Sequence, residues 1–140
     1  MAATIWTTFQ PVDADAQSNW STILWEQSDI NGISIPIRQG DARIGYNHFA
    51  QRHNLSSGGA VRQAIKVAKP ITTGARVEYV TLFTHANDHE QVYLRVIAQA
   101  ATTTDDREYS SPDGKYIGVV TAYCDSMNKC PYWLSNLQLS

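Results

Sequence analysis

The hydrophobic period changes once along this chain, and that change limits the fold more than any other feature. Tyr46, Phe49, Ala50 and His53 fall at i, i+3, i+4 and i+7, one face of a helix. Ala60, Val61, Ala64, Ile65 and Ala68 repeat the pattern over residues 60–68, leaving Arg62, Gln63, Lys66 and Lys69 for the outer face. Pro70 stops that helix and Thr72-Thr73-Gly74 turns the chain. From there the period is two. Residues 77–83, 92–98 and 116–123 read as strands rich in Val, Tyr, Ile and Thr. Helices followed by consecutive strands predict an α+β fold, with N-terminal helices packed on an antiparallel sheet of about four strands.

The first third is less regular. Residues 4–9 alternate enough for a short strand ended by Pro11, and residues 13–19 read as a polar loop or helix start. The apolar residues 20–26 lean toward helix. Asn31-Gly32 is a turn signal, and Ile33, Ile35 and Ile37 alternate after it, with Pro36 marking an edge strand or extended segment. At 140 residues the chain is expected to be one domain, with a catalytic core over 37–123 and an N-terminal extension over 1–36.

Hydrophobic residues make up 43% and charged residues 17%, a globular balance, and no apolar run reaches the ~18 residues a membrane helix needs. The start, MAATIWTTFQ, has neither the basic nor the apolar region of a signal peptide. The net charge of −2 argues against a protein that coats nucleic acid, but its distribution is uneven. Residues 38–76 hold seven bases (Arg38, Arg43, Arg52, Arg62, Lys66, Lys69, Arg76) against the single acid Asp41, a surplus of six. The other segments hold four bases and twelve acids. That asymmetry predicts an electropositive face on an acidic body, as a polyanion site requires; a merely solvated basic face is the plain alternative. Cys124 and Cys130, in CDSMNKC, are two ordinary thiols or one local staple.

Chemistry centres on GYNHFAQRH. His48 and His53 lie five apart, so their side chains leave the helix about 140° apart, poorly placed to chelate one metal. His53 sits on the inward edge beside Phe49, where desolvation would keep its imidazole neutral and fit to act as a general base. A hydrogen-bonded structural histidine is the alternative for each. His48 and Arg52 share the neighbouring face. His85, Asp88 and His89, in HANDHE, read as a solvated loop. Ile117, Val119, Thr121 and Tyr123 are expected on one strand face, ending in two hydroxyls that could hold a phosphate oxygen, stack on a base or donate a proton. The chain contains no GxxxxGK[ST], HExxH, GxSxG or paired CxxC motif.

GYNHFAQRH, a second helix running into KVAKPITTG, several antiparallel strands and a last strand ending VVTAY together resemble the bacterial toxin ribonucleases of the barnase–EndoU–colicin E5/D–RelE superfamily. The resemblance runs from about residue 40 to residue 123 and leaves 1–35 unmatched. It implies a metal-independent, cofactor-free endoribonuclease that cleaves RNA, with tRNA among the candidates, by attack of the 2′-OH on the adjacent phosphorus. Carried over by position, His53 fits the helical histidine best and His48 second; His53 would be the base, His48 or Tyr123 the acid, Lys66 or Lys69 with Arg52 the cations at the phosphorane, and Thr121 a phosphate-oxygen ligand. Arg43, Arg52, Arg62 and Lys69 would bind the RNA backbone. The second catalytic histidine of the EndoU-like members has no fixed counterpart here. The resemblance also implies a cognate immunity protein, and an effector domain exported within a larger protein or by a dedicated system to act in the target-cell cytoplasm.

Two other readings compete. An ADP-ribosyltransferase-type toxin would want paired acids, for which Asp106-Arg107-Glu108 comes close. A non-enzymatic RNA- or protein-binding module would keep the basic face and make the histidines incidental.

Overall fold

A computed structural model describes residues 19–138; the strand expected over 4–9, Pro11 and nearly all of the 13–19 loop lie outside them. A 3-10 turn at Asn19–Ser21 leads into β1 (Ile23–Ser28), which pairs antiparallel with β2 (Ser34–Arg38). Helices α1 (Gly45–His53) and α2 (Gly59–Val67) follow. Then come β3 (Ile71–Thr73), β4 (Arg76–Thr84), β5 (Gln91–Gln99) and β6 (Gly118–Cys124), one antiparallel sheet in chain order, and a closing turn of helix, α3 (Tyr132–Ser135). The class is α+β with the expected four-stranded sheet.

Three expectations change. Residues 20–26 are strand rather than helix: side chains from Ile23 to Ser28 alternate between half-buried and exposed, and Asn31-Gly32 folds the segment onto β2. Asp29 secures that turn, accepting from the amides of Asn31 and Ile33 through Oδ1 and from the buried Tyr79 hydroxyl at 2.7 Å through Oδ2. The helices are therefore not strictly N-terminal, because a hairpin precedes them. Ile35 and Ile37 are fully buried in the common core, so β2 spans the boundary expected between extension and catalytic core.

Second, Thr72 and Thr73, expected with Gly74 as turn, join Ile71 in a short edge strand paired with β4, and the turn falls at Gly74-Ala75. The third change comes from a bulge. Ala98 pairs with Val119 but Ile97 pairs with Thr121, so β6 carries one extra residue at Val120. The parity of the strand reverses there. Val119, Ala122 and Cys124 face the core with Leu94, Val96, Tyr79, Phe49 and Ile65. Thr121 and Tyr123 face the other side of the sheet, beside Ile97 and Arg95, and do not share a face with Val119.

Helix α2 covers the core face of the sheet through Ala60, Val61, Ala64 and Ile65, while α1 packs along β6, the free edge. Close approach fixes this corner. Gly118 has φ +83°, and a Cβ there would stand 2.0 Å from the Pro36 carbonyl oxygen; at Gly40 a Cβ would stand 1.9 Å from that of Ile44. Only glycine fits either position. Arg38, 1% exposed, ties the corner together. Its guanidinium donates to the carbonyls of Ile117, Ser21 and Tyr116 and, through both terminal nitrogens, to the Asp113 carboxylate. That contact holds the Asp113 carboxyl well below the usual carboxylate range.

Candidate active site

The last turn of α1 and the loop after β6 are built as one unit. Asn54 takes the left-handed conformation that ends α1. The Cys130 amide donates to the His53 carbonyl at 2.9 Å, and the Asn54 side-chain amide donates to the Cys130 carbonyl at 3.0 Å. Cys124 and Cys130 form a disulfide, which closes residues 125–129 into a short loop against the helix end. From that loop Lys129 donates its ammonium to the Gln51 carbonyl at 3.0 Å, a cation at the electronegative end of a helix.

His53 faces this loop. Its Nδ1 lies 3.1 Å from the Asn128 carbonyl oxygen, and Nδ1 of His48 lies 2.9 Å from that of Ala42. A carbonyl can only accept, so both rings carry their proton on Nδ1 and leave Nε2 as the basic nitrogen when neutral. The rings meet edge to face with centroids 5.4 Å apart, and the Tyr123 ring is 5.9 Å from His53. Leaving the helix in different directions does not keep the imidazoles apart: the rings meet each other, and His53 also meets Tyr123 of β6. Burial lowers the His53 pKa below 6.5; the Asn128 bond raises it, and the charges of His48, Arg52 and Lys129 lower it further.

The sequence-expected residues divide clearly. The His48, His53 and Tyr123 rings come together beside α1, the Arg52 charge acts on His53, and Thr121 lies on the same sheet face as Tyr123. Lys66 and Lys69 are exposed at the end of α2, on the core side of the sheet, and no contact joins them to the histidines. Arg62 lies over the Trp25 ring at 5.7 Å. Arg43 pairs with Glu108 and lies over Tyr109. The lysine whose charge reaches His53 is instead Lys129. Its signal in the sequence was the CDSMNKC spacing, which becomes informative only once the two cysteines are bridged.

The basic surplus of residues 38–76 is also partly spent. Arg38, Arg43 and Arg76 pair with Asp113, Glu108 and Glu78, all acids from outside that segment. The open sheet face beyond Tyr123 carries a second ionic group: Arg95, cross-strand from Tyr123, bonds both Glu78 and Asp125 and is held more firmly protonated by them. Asp106 accepts from the Thr104 hydroxyl and the Glu108 amide, while Glu108 turns to Arg43. Those two acids thus have separate partners rather than a shared site. His85 stacks on Trp133 and bonds Asp88. No helix among the described residues is long and apolar enough to cross a membrane. The sequence matches no known family model and no curated protein.

Proposed function

We propose that this protein is an endoribonuclease that cleaves RNA by 2′-OH transesterification, with its own side chains supplying acid and base. One observation carries the reading: two imidazoles 5.4 Å apart, each with Nδ1 anchored on a backbone carbonyl, stand beside Arg52 and Lys129. Such anchoring is what a general acid–base pair needs, since it fixes which nitrogen exchanges the proton.

In the proposed reaction His53 Nε2 removes the 2′-OH proton, and the 2′-oxygen forms a bond to phosphorus. The bond from phosphorus to the 5′-oxygen breaks as His48, in its imidazolium form, gives that oxygen a proton. The products are a 2′,3′-cyclic phosphate and a 5′-OH end, and proton exchange with water resets both rings. His53 suits the base because burial favours its neutral form. Arg52 and Lys129 supply positive charge where the phosphorane gains negative charge, Thr121 offers a hydroxyl to a phosphate oxygen, and Tyr123 a ring for a base. DNA lacks the nucleophile and is spared.

The resemblance to toxin ribonucleases supports the same reading, and tRNA is a first substrate to try. It also suggests an acidic immunity protein that would cover Arg52 and Lys129 by charge complementarity. The decisive test is incubation with total RNA and tRNA in excess EDTA, comparing wild type with His53→Ala. Cleavage that leaves cyclic phosphate ends and falls at least ~10²-fold in the variant is expected. Equal rates for the two proteins, or no cleavage at any enzyme concentration, would overturn the proposal.

A further inference from the structure

A cleft of about 270 Å³ opens at the other end of α1. One wall is Ile44, just before the helix, and another is Val120, the residue that the β6 bulge adds. Arg43 beside Ile44 and Gln99 on the outer face of β5 also line it, as does the connector between β5 and β6, which contributes Asp105 and Tyr109 among others. The connector is tethered over the sheet by Gln99, whose Nε2 donates to Asp105 Oδ1 at 3.1 Å. Gln99 is 7% exposed, yet no donor among the described residues reaches its Oε1. Asp105 is exposed, and its second carboxylate oxygen likewise has no donor among them.

The cleft thus offers hydrogen-bond acceptors side by side, between an aromatic ring and two aliphatic walls. Its volume lies just under the ~300–1,000 Å³ typical of drug-sized ligands, which suits a single planar ring system. Asp105 and Asp106 repel phosphate, and the one cation on the lining, Arg43, is already paired with Glu108. A neutral base therefore enters more readily than the backbone does. Among the RNA bases only guanine presents two adjacent N–H donors, N1–H and the N2 amino group, on its Watson–Crick edge. Uracil sets one N–H between two carbonyls, and adenine and cytosine set an amino group next to an acceptor. Single-stranded RNA is read through such edges.

Position connects the cleft to the histidines. The Ala42 carbonyl that anchors His48 belongs to the loop that supplies Arg43 and Ile44. The nine-residue helix places His53 roughly 13 Å along the axis from that loop, with His48 between them. His48, which protonates the departing oxygen, therefore stands between His53 and the cleft, and the nucleotide carrying that oxygen is placed on the cleft side. We propose that the cleft between the β5–β6 connector and the outer sheet face is a guanine subsite for the nucleotide that follows the scissile phosphate. The proposal rests on the ribonuclease reading for its place in the reaction, but binding tests it independently.

The experiment titrates 15N-labelled protein with guanosine, inosine and adenosine 5′-monophosphates, and in parallel measures cleavage of the dinucleotides UpG and UpA. Saturable shifts at the Gln99, Asp105 and Tyr109 amides are expected with the guanosine nucleotide. The inosine nucleotide, lacking the N2 amino group, and the adenosine nucleotide should each bind at least about tenfold more weakly, as loss of a bond to a charged group implies. UpG should be cut faster than UpA by a like factor, and Asp105→Asn should level both preferences. Equal affinities for the three nucleotides, or shifts elsewhere on the protein, would overturn the subsite even if RNA is cleaved. Guanosine-selective binding without cleavage of any RNA would sustain the guanine cleft and overturn the ribonuclease reading instead. The comparison among ligands uses wild-type protein, so it holds even if the Asp105 variant fails to fold.

Discussion

Opening the Cys124–Cys130 bridge should loosen the fold modestly and detune His53 at the same time. The closed loop is short, the cysteines being six apart in sequence. Chain entropy for a ring of that size gives about 2 kcal/mol of stabilisation, the low end of the usual disulfide range. With a urea m-value of about 2 kcal/mol/M, reduction should lower the unfolding midpoint by about 1 M. The second effect is on the site. Asn128 and Lys129 both sit inside the loop, and the Cys130 amide holds the His53 carbonyl. Release removes the Asn128 bond, which raises the His53 pKa, but also the burial and the Lys129 charge, which lower it. Burial is the largest of these, so the net movement is upward, toward the 6.5 of a free imidazole. Proton NMR of the imidazole Hε1 across pH 4–9, on oxidised and reduced protein, reads the shift while urea melts read the stability. A reduced protein whose midpoint and His53 titration both match the oxidised form would refute the linkage between bridge and site.

Other consequences follow from the same geometry. His53 has a folded-state pKa below its unfolded value, so the unfolded chain binds the extra proton. Its contribution to stability is then complete above pH 6.5 and is lost as pH falls through the folded-state pKa, and His53→Gln should flatten the urea-derived stability profile in that window. The acid limb of kcat/KM should lie below pH 6.5 for the same reason, and a limb above 6.5 would exclude His53 as the base. Arg38→Ala should cost about 3 kcal/mol, the lower part of the range for breaking a buried pair because Asp113 is partly exposed, and should lower Tm by roughly 10 °C in a calorimetric scan. Lys129→Ala should reduce RNA cleavage at least about tenfold, as loss of a charge-assisted contact implies, whereas Lys66→Ala should leave it near wild type in 0.15 M salt.

The elements most legible in the sequence are those whose pattern is local. Both helices lie within a residue or two of their periodicity, because Phe49 on α1 and Ala60, Val61, Ala64, Ile65 and Ala68 along α2 and just after it fall at helical spacing and are buried. The three long strands are equally plain from alternation. Residues 20–26 misled because Trp20, Ile23, Leu24 and Trp25 are apolar without a clear period. What makes them strand is the partner that Asn31-Gly32 brings back, a pairing rather than a propensity. The bulge at Val120 is the same kind of case. No residue in GVVTAYC announces it; it arises where Gly118 must meet the Pro36 carbonyl while Ala122 and Cys124 still reach the core. One inserted residue then sends Thr121 and Tyr123 to the opposite face from the one alternation predicts.

The candidate site shows why charge counted along a chain is a poor guide to charge in space. Seven bases in residues 38–76 suggested a continuous basic face, with Lys66 or Lys69 beside the histidines. Folding brings acids from far along the chain onto Arg38 and Arg43, and Glu78 onto Arg76, while α2 carries its lysines to the core side of the sheet. The positive charge that acts on His53 comes instead from its own helix and from Lys129, more than seventy residues away in sequence and held in place by a disulfide. The two histidines were legible because their helix was legible. The lysine beside them was not, because its position depends on a covalent closure that spacing permits but does not dictate. A site assembled this way, from one rigid helix end and one bridged loop, can keep a modest local charge where it is needed although the chain as a whole is acidic.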